Sequence, residues 1–435
     1  MITEALNHVH RRYADKHPNS ARQHRLSRTV LPAGISRSVL NIEPFPLAVA
    51  SASGSLLTDI DGNDYLDYLG DYSVGLAGHN PEAVSTAVTG VLESGWALGA
   101  VTVEEYVVAR MLCDRIESMD LVRFTASGTE ANLLAVSLAL RSSGRRSVLV
   151  FDGGYHGGFL DYSHDSSSLN VPFDVIVCDY NNLDAVTATF ETAGEQIGCV
   201  LVEPMLGAAG RIPGSPIFLQ GLREICDRYG TVLVFDEVQT SRMAYGAAQS
   251  LLGVRPDLTT LGKYLAAGFG FGAVGGTASL MRRLDHAAQP HYAHSGTFNN
   301  NRFSMAAAIA TLNTTLTRDN LDLLFVRGEN LRVHADTLLR PHGFQATGWG
   351  SLISIHPTTT PITHAADLAG ADQRLTQLLF HEMLHRGIYI GKTGFVTLCL
   401  PQTADADGLF LTTLKDALAA IPTCVKPSTT GARTR

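Results

Sequence analysis

Thr231-Val-Leu-Val-Phe-Asp-Glu237, followed by Asp257-Leu-Thr-Thr-Leu-Gly-Lys263 and the glycine-rich run from Gly268 to Gly276, decides the fold. The first segment is a β-branched and aromatic run without alternation, the pattern of a strand buried on both faces and therefore of a parallel sheet. Asp236 stands at its carboxyl end, where open α/β sheets place their ligand crevice. Lys263 ends a second such segment, beside Gly262 and among Leu261, Tyr264 and Leu265. An amine in apolar surroundings gives up its charge more readily, which suits Schiff-base chemistry. An acid and a lysine at parallel-strand ends point to pyridoxal phosphate (PLP), the lysine for its aldehyde and the acid for its ring nitrogen. Taken singly, each residue is equally well explained as a solvated lysine or a helix-capping acid, so the rest of the chain decides.

The bulk composition is that of a globular protein with a sizeable core: 435 residues, 45% hydrophobic and 17% charged. A formal net charge of −8 argues against nucleic-acid and anionic-membrane partners. The six cysteines, at 113, 178, 199, 226, 399 and 424, form no C-x-x-C pair and lie mostly in apolar runs. That usage fits a reducing, cytoplasmic compartment. The first residues are polar, with Arg11, Arg12 and Lys16 and no apolar stretch of a secretory signal. Residues 265–281 are uncharged but too short and glycine-rich for a membrane span.

Four parts are expected in chain order. Residues 1–50 read as an amphipathic helix and an arm; 51–305 as a large α/β domain; 306–426 as a smaller α+β domain; 427–435 as a polar tail. Residues 54–67 have strand, Asp-Gly turn, strand character. From about 81 to 276, helical patterns alternate with short apolar runs. Strands are expected at 122–125, 148–151, 175–178, 200–203 and 231–236, with helices at 130–141, 183–190 and 219–229. This alternation is the signature of a mostly parallel, helix-covered sheet. A long helix is expected at 301–317 and a short strand at 395–400.

Several junctions carry candidate chemistry. The strand at 122–125 runs into Ala126-Ser-Gly-Thr-Glu130, whose small and hydroxyl residues leave backbone N–H groups free at a helix start, a place that favours phosphate. An ordinary N-cap by Ser127 or Thr129 explains the same residues. Asp152-Gly-Gly-Tyr-His-Gly-Gly158 closes the next strand, with glycines for close approach and Tyr155 able to stack on a flat ring; a plain glycine turn leaves Tyr155 and His156 unexplained. Glu203-Pro204 ends a third strand, either lining the site or capping a loop. His294-Ser-Gly-Thr-Phe-Asn-Asn-Asn301 offers Thr297 as a second phosphate contact.

Together these motifs carry a resemblance. Thr125-Ala-Ser-Gly-Thr-Glu-Ala-Asn132, Gly153-Gly-Tyr-His-Gly157, Val202-Glu-Pro204, Phe235-Asp-Glu-Val-Gln239, Leu261-Gly-Lys263 and Ser295-Gly-Thr297 stand in the order and spacing of the class III, fold type I, PLP-dependent aminotransferases. The chain resembles the branch that includes glutamate-1-semialdehyde aminomutase. Ser36-Arg-Ser-Val-Leu40, Pro44-Phe-Pro46 and Thr240-Ser-Arg242 most resemble its members that act on β-amino acids such as β-phenylalanine. The resemblance implies a large domain with a mostly parallel sheet plus a smaller α+β domain. It further implies Lys263 as the Schiff-base lysine, Asp236 at the ring nitrogen, Tyr155 stacked on the ring and Gln239 at the other face. Ser127, Gly128 and Thr129 would hold the phosphate, with Thr297 reaching it from the other subunit of a homodimer; His156 and Glu203 complete the expected cofactor site.

Three departures bear on substrate. Ala126 replaces a residue that is commonly asparagine. No arginine lies between Arg386 and Arg433, where relatives that grip α-carboxylates carry one. The loop before the 395–400 strand reads Gly391-Lys-Thr-Gly394, without the arginine of the β-amino-acid members. An arm arginine is most simply a solvated charge, yet Arg37 matches the position of the carboxylate-binding arm, and a guanidinium fork is the natural partner of a carboxylate. Lys392 can assist from the loop opposite.

Two motifs compete with this reading. His381-Glu-Met-Leu-His385 matches a zinc-protease signature, but no third ligand pattern follows and Glu382 falls in an apolar stripe. Gly270-x-Gly272-x-x-Gly275 matches a dinucleotide fingerprint but follows a loop, not a strand. The expected activity is therefore amino transfer between a β-amino acid donor and a keto-acid acceptor. The alternatives are an aminomutase, a class III enzyme acting on a biosynthetic keto or aldehyde intermediate, and, in another class, a metallopeptidase or a non-enzymatic dimer.

Overall fold

A computed structural model describes residues 1–163 and 169–421. Its main sheet has seven strands: β1 (Leu121–Thr125), β2 (Ser147–Phe151), β3 (Asp174–Cys178), β4 (Ile197–Val202), β5 (Val232–Asp236), β6 (Leu258–Gly262) and β7 (Gly272–Gly276). Their spatial order is β1-β7-β6-β5-β4-β2-β3. All adjacent pairs from β6 to β3 are parallel, whereas β7 runs antiparallel to both β6 and β1.

The unbroken apolar runs follow from burial on both faces. Val148, Val150, Cys199, Leu201 and Val234 pack under Ala131, Ala135 and Leu138 of the helix Gly128–Ser143. The residues between them, Leu149, Phe151, Val200, Val202, Leu233 and Phe235, face Val186, Phe190, Phe218 and Leu222 on the helices Leu183–Ala193 and Pro216–Tyr229. The glycine-rich run is β7. A Cβ at Gly272 would come within 2.1 Å of the Ser127 carbonyl oxygen and one at Gly275 within 2.5 Å of Met119, so near-naked backbone is what fits between β1 and β6. It is a strand of the sheet and forms no dinucleotide turn.

The hairpin Leu56–Asp59 and Asp64–Asp67 forms around the Asp-Gly turn, where Asp59 Oδ1 accepts the N–H groups of Asp61 and Asn63. Its second strand pairs in parallel with Ile388–Tyr389, so the segment just after the arm is joined to the carboxyl part. The strands Gln345–Trp349, Leu352–His356 and Phe395–Thr397 make a three-stranded antiparallel sheet beside the helices Arg318–Leu339 and Ala404–Ala420. The strand expected to reach 400 stops at Thr397, because the next backbone groups turn to other partners: Leu398 N–H to Ser351 and Cys399 N–H to Gln402 Oε1. The amphipathic helix Ile2–Lys16 buries Leu6, Val9 and Tyr13; a second helix, Pro18–Ser27, replaces part of the expected arm. The expected tail and Cys424 lie outside the described residues.

The H-E-x-x-H motif is structural. Glu382 is 5% exposed and paired with Arg12 at 2.7 Å and with Arg386. His381 packs against His10, Tyr13 and Phe380, and burial pushes its imidazole down to about 3. Among the described residues no cluster of His, Cys, Asp or Glu suits a metal.

Glu237, adjacent to Asp236, also proves structural. Fully buried, it accepts from Ala248 N at 2.7 Å, Gln249 N at 3.0 Å, Gln249 Nε2 at 3.1 Å and Thr240 Oγ1 at 3.1 Å, capping the helix Ala247–Leu252 from a distance. Glu237→Ala leaves these donors without an acceptor and is expected to destabilise the fold by about 3 kcal/mol. Chemical denaturation checks this, and a loss under about 1 kcal/mol contradicts the capping role.

Candidate active site

The carboxyl ends of β1, β2, β4, β5 and β6 converge on one crevice. Asp236, 4% exposed at the end of β5, is held by donors on both oxygens. Oδ2 accepts from Asn132 Nδ2 at 2.8 Å and lies 2.8 Å from His156 Nδ1; Oδ1 accepts from Val238 N at 3.0 Å, with Thr260 Oγ1 at 3.5 Å. Asn132 is itself fixed, giving its second N–H to the His156 carbonyl and accepting from Thr260 Oγ1 at 2.6 Å. These contacts offset the cost of burying a carboxylate and leave its orientation no freedom.

A second buried carboxyl, Glu203, follows β4. It accepts from Tyr155 N and Gly207 N, both at 3.0 Å. Burial pushes it up to about 7 against the opposing pull of His156, with Asp236 adding to the rise. Glu203 thus fixes the loop that carries Tyr155, a residue that stays 37% exposed. The Gln239 side chain packs on the turn at Gly207, where a Cβ would come within 2.1 Å of its Nε2 and displace it.

Ser127 caps the helix Gly128–Ser143. Its Oγ accepts from Glu130 N at 3.2 Å, and Glu130 Oε2 accepts from Ala126 N, one residue before the cap, at 2.9 Å. The ordinary cap and the anion cradle coexist, because Gly128 and Thr129 begin the helix and their N–H groups have no intrahelical acceptor. Gly157, at φ +117°, abuts Thr129, where a Cβ would meet Oγ1 at 2.2 Å. Gly262 abuts Gly128, its Cβ direction ending 3.3 Å from the Gly128 Cα. Lys263 therefore leaves β6 directly beside the cradle.

Lys263 has φ +54°, a left-handed conformation that a lysine holds only where its surroundings impose it. Burial pushes its amine down to about 8; Asp236 and Glu203 pull it up, and the charges of Arg211 and Arg37 push it down further. Arg37 is half-exposed in the arm, with Nη1 2.6 Å from Asp71 Oδ1 and its guanidinium 5.8 Å from the Tyr72 ring. Lys392 donates to the Asn41 carbonyl at 2.5 Å and lines a cavity of about 520 Å³ between the arm and the carboxyl part.

Of the residues singled out in the sequence, Lys263, Asp236, Ser127, Gly128, Thr129, Tyr155, His156, Glu203 and Gln239 come together, with Arg37 at the edge. Thr297 does not join them: it is exposed in the loop before the helix Arg302–Thr314, next to Phe298. Asn132, Thr260 and Arg211 had no assigned role. Their signal was a polar residue inside an otherwise apolar face or strand: Asn132 between Ala131 and Ala135, Thr260 between Leu258 and Leu261.

Residues 39–407 match the aminotransferase class-III family, and the chain belongs to it. It is a transaminase, and its cofactor is pyridoxal 5′-phosphate. The donor set suits that group part by part: a depressed amine for an aldehyde, a buried carboxylate for a ring nitrogen, an open tyrosine face for the ring, a helix start for the phosphate. Among particular relatives, the chain is 45% identical over 408 residues to the beta-phenylalanine transaminase of Variovorax paradoxus, covering 93% of this chain and 94% of that one. The crystal structure of the beta-phenylalanine aminotransferase from that organism superposes with a TM-score of 0.94 at 42% identity, covering 96% and 98% of the two chains. The glutamate-1-semialdehyde 2,1-aminomutase of Nitratidesulfovibrio vulgaris is 34% identical over 413 residues, 90% of this chain and 96% of that one.

The depressed amine has a stability consequence. Between about 8 and the ordinary lysine value of 10.5, the cofactor-free native state binds fewer protons than the unfolded chain, so stability rises with pH across that window. Below it, the buried charge weighs fully against the fold. Lys263→Met is expected to raise the thermal midpoint of the cofactor-free protein at pH 7, with an advantage that shrinks by pH 10. Thermal unfolding at both pH values checks this; a lower midpoint at pH 7, or an undiminished advantage at pH 10, contradicts it.

Proposed function

We propose that this transaminase moves an amino group between a β-amino acid, aromatic ones included, and a keto acid, as a homodimer with shared active sites in the cytoplasm. Bound PLP supplies an aldehyde to take the amine and a ring that accepts electrons. Lys263 would hold that aldehyde, and its amine, once free, would be the group that moves a proton to and from the substrate carbon. Asp236, oriented by Asn132 and His156, keeps a proton on the ring nitrogen. Tyr155 and Gln239 enclose the ring, and Glu203 fixes the Tyr155 loop. The Gly128 and Thr129 N–H groups and the Ser127 hydroxyl bind the phosphate. The parts of the chain then divide the work: residues 51–305 carry the cofactor, while the arm at 1–50 and residues 306–426 close the substrate side.

The observation that carries the substrate class is Arg37. It comes from the arm, is held by the half-exposed Asp71 and the Tyr72 ring, and is near enough for its charge to act on Lys263. A carboxylate held there leaves the amine one carbon further out than in an α-amino acid, and the likeness to the Variovorax enzyme supports the same reading. Arg37→Ala is expected to raise the half-saturating concentration of a β-amino acid about tenfold, or ~1.4 kcal/mol, with little effect on an amine lacking a carboxylate. Equal losses on both donors, or better turnover of α- than β-amino acids by the parent, overturn the reading. A parent that turns over without added keto acid is an aminomutase instead.

Two observations support the dimer. Trp96, Leu98, Val101, Val103, Tyr106 and Phe298 are each at least half exposed, an apolar set of the kind subunits cover. The loop of Thr297 is tied to it, through Arg302 to Glu104 at 2.6 Å and through Trp96 to Phe303 at 5.5 Å between ring centres. Thr297 then completes the phosphate site of the neighbouring subunit. Thr297→Val is expected to weaken PLP binding about tenfold, the loss of one hydrogen bond to an anion. A fully active monomer contradicts the shared site. The cytoplasm is supported by five free cysteines among the described residues. No helix among the described residues is long and apolar enough to cross a membrane.

A further inference from the structure

Arg211 and Arg242 head the large side chains with almost no exposed surface, at 1% each. Arg211 leaves the loop after β4 and reaches the three-stranded sheet of the carboxyl part. Its Nη1 donates to the carbonyls of Ile353 at 2.9 Å and Val396 at 2.6 Å, and its Nη2 to Thr397 Oγ1 at 2.7 Å. The guanidinium lies 4.7 Å from the Phe395 ring centre, and Nε is buried with no acceptor. Arg242, after β5, donates to Ser351 Oγ at 2.9 Å, to the Ser73 carbonyl at 3.2 Å and to the Leu398 carbonyl.

Among the described residues no Asp or Glu forms an ion pair with either arginine. Carbonyl and hydroxyl oxygens satisfy individual donors, but their partial charges do not cancel a whole one, and a buried charge without a counter-ion is costly. The two arginines also oppose each other: burial, with Arg242 adding, pushes Arg211 down to about 9, and burial pushes Arg242 to about 10, so both stay charged near neutrality. Residues flanking Arg211 and its partners, Gly210, Ser354 and Phe395, line the 520 Å³ cavity beside the arm. The charge of Arg211 reaches Lys263, alongside that of Arg37. Tying two parts of the chain together needs donors but no net charge. A net positive charge kept buried here, at a cost, has a use in its field.

We infer that Arg211 is a specificity-determining positioning residue whose uncompensated charge, backed by Arg242, gives the Lys263 pocket its preference for carboxylate-bearing substrates over neutral amines. The inference rests on the aminotransferase reading of the Lys263 site and adds to it a second source of anion selection, separate from direct contact with Arg37. The arginine acts through its field, weakly screened because it is buried, and need not touch the substrate.

The test compares 3-phenylpropanoate with its neutral isostere 3-phenylpropanamide, neither of which carries an amine to transfer, by calorimetry on the PLP-loaded enzyme. The parent is expected to prefer the acid. Arg211→Gln is expected to cut that preference about fivefold or more while amide binding stays within about twofold. In turnover, KM for a β-amino acid rises with kcat little changed. Arg211→Lys keeps the charge but loses the fork that joins Ile353, Val396 and Thr397, so it is expected to retain most of the preference. Arg37→Ala, which leaves Arg211 in place, is expected to keep an acid preference of about threefold or more. A lysine variant as impaired as the glutamine one makes Arg211 a mere tether and overturns the inference, as does equal weakening of acid and amide. Should the Arg211 variants fail to fold, the double variant Arg37→Ala with Lys392→Met decides alone: loss of all acid preference overturns the inference, and a residual preference, with both direct cations gone, upholds it. A parent that prefers α-amino donors refutes the proposed substrate and leaves this comparison intact.

Discussion

The structure depends on one buried carboxylate. Asp236 sits at the end of a strand that is inaccessible on both faces, where an ionised group is tolerated only if every oxygen is engaged. The three groups that engage it come from three places, Asn132 from the first turns of the helix after β1, His156 from the loop after β2, and the backbone of Val238, while Thr260 from β6 donates to Asn132 behind them. Holding those donors in reach of one carboxylate fixes how β1, β2, β5 and β6 end relative to one another. The same requirement sets the distance between the helix start at Gly128 and the strand end at Lys263, which touch through glycines.

Around Lys263 burial outweighs the charges that oppose it. Asp236 and Glu203 favour its protonated form, while burial, Arg211 and Arg37 disfavour it, and the amine rests at about 8. Such an amine is neutral often enough to attack an aldehyde near physiological pH and basic enough to take a proton back. The two arginines that help depress it are the ones to which the proposals above give the carboxylate of a substrate.

Much of this was legible in the sequence, for identifiable reasons. Residues 148–151, 197–202 and 232–236 lack alternation because each side chain has a packed layer to enter, so the strands and their helix partners follow directly from the pattern. Asp236 and Lys263 were ambiguous singly and became legible through the ordered motifs around them. The helix Pro18–Ser27 was missed: it is mostly polar and buries only Ser20, so no apolar periodicity marks it. The glycine-rich run was hard to read as a strand, since what specifies it is the closeness of Ser127 and Met119, which no local pattern encodes. The roles of Asn132 and Arg211 were hidden for a related reason: their partners are 104 residues away at Asp236 and more than 140 away at Ile353 and Val396. His381 and His385 show the converse, a motif with the right spacing whose glutamate is taken up by Arg12 of the first helix.

The central claim is that Lys263 is the residue that carries the cofactor. Reduction of the PLP-loaded protein with borohydride, followed by proteolysis and mass spectrometry, tests it most directly. The account predicts a single pyridoxyl modification, on the peptide containing Leu261-Gly262-Lys263. Modification of a different lysine, or none on a protein saturated with PLP, would contradict it.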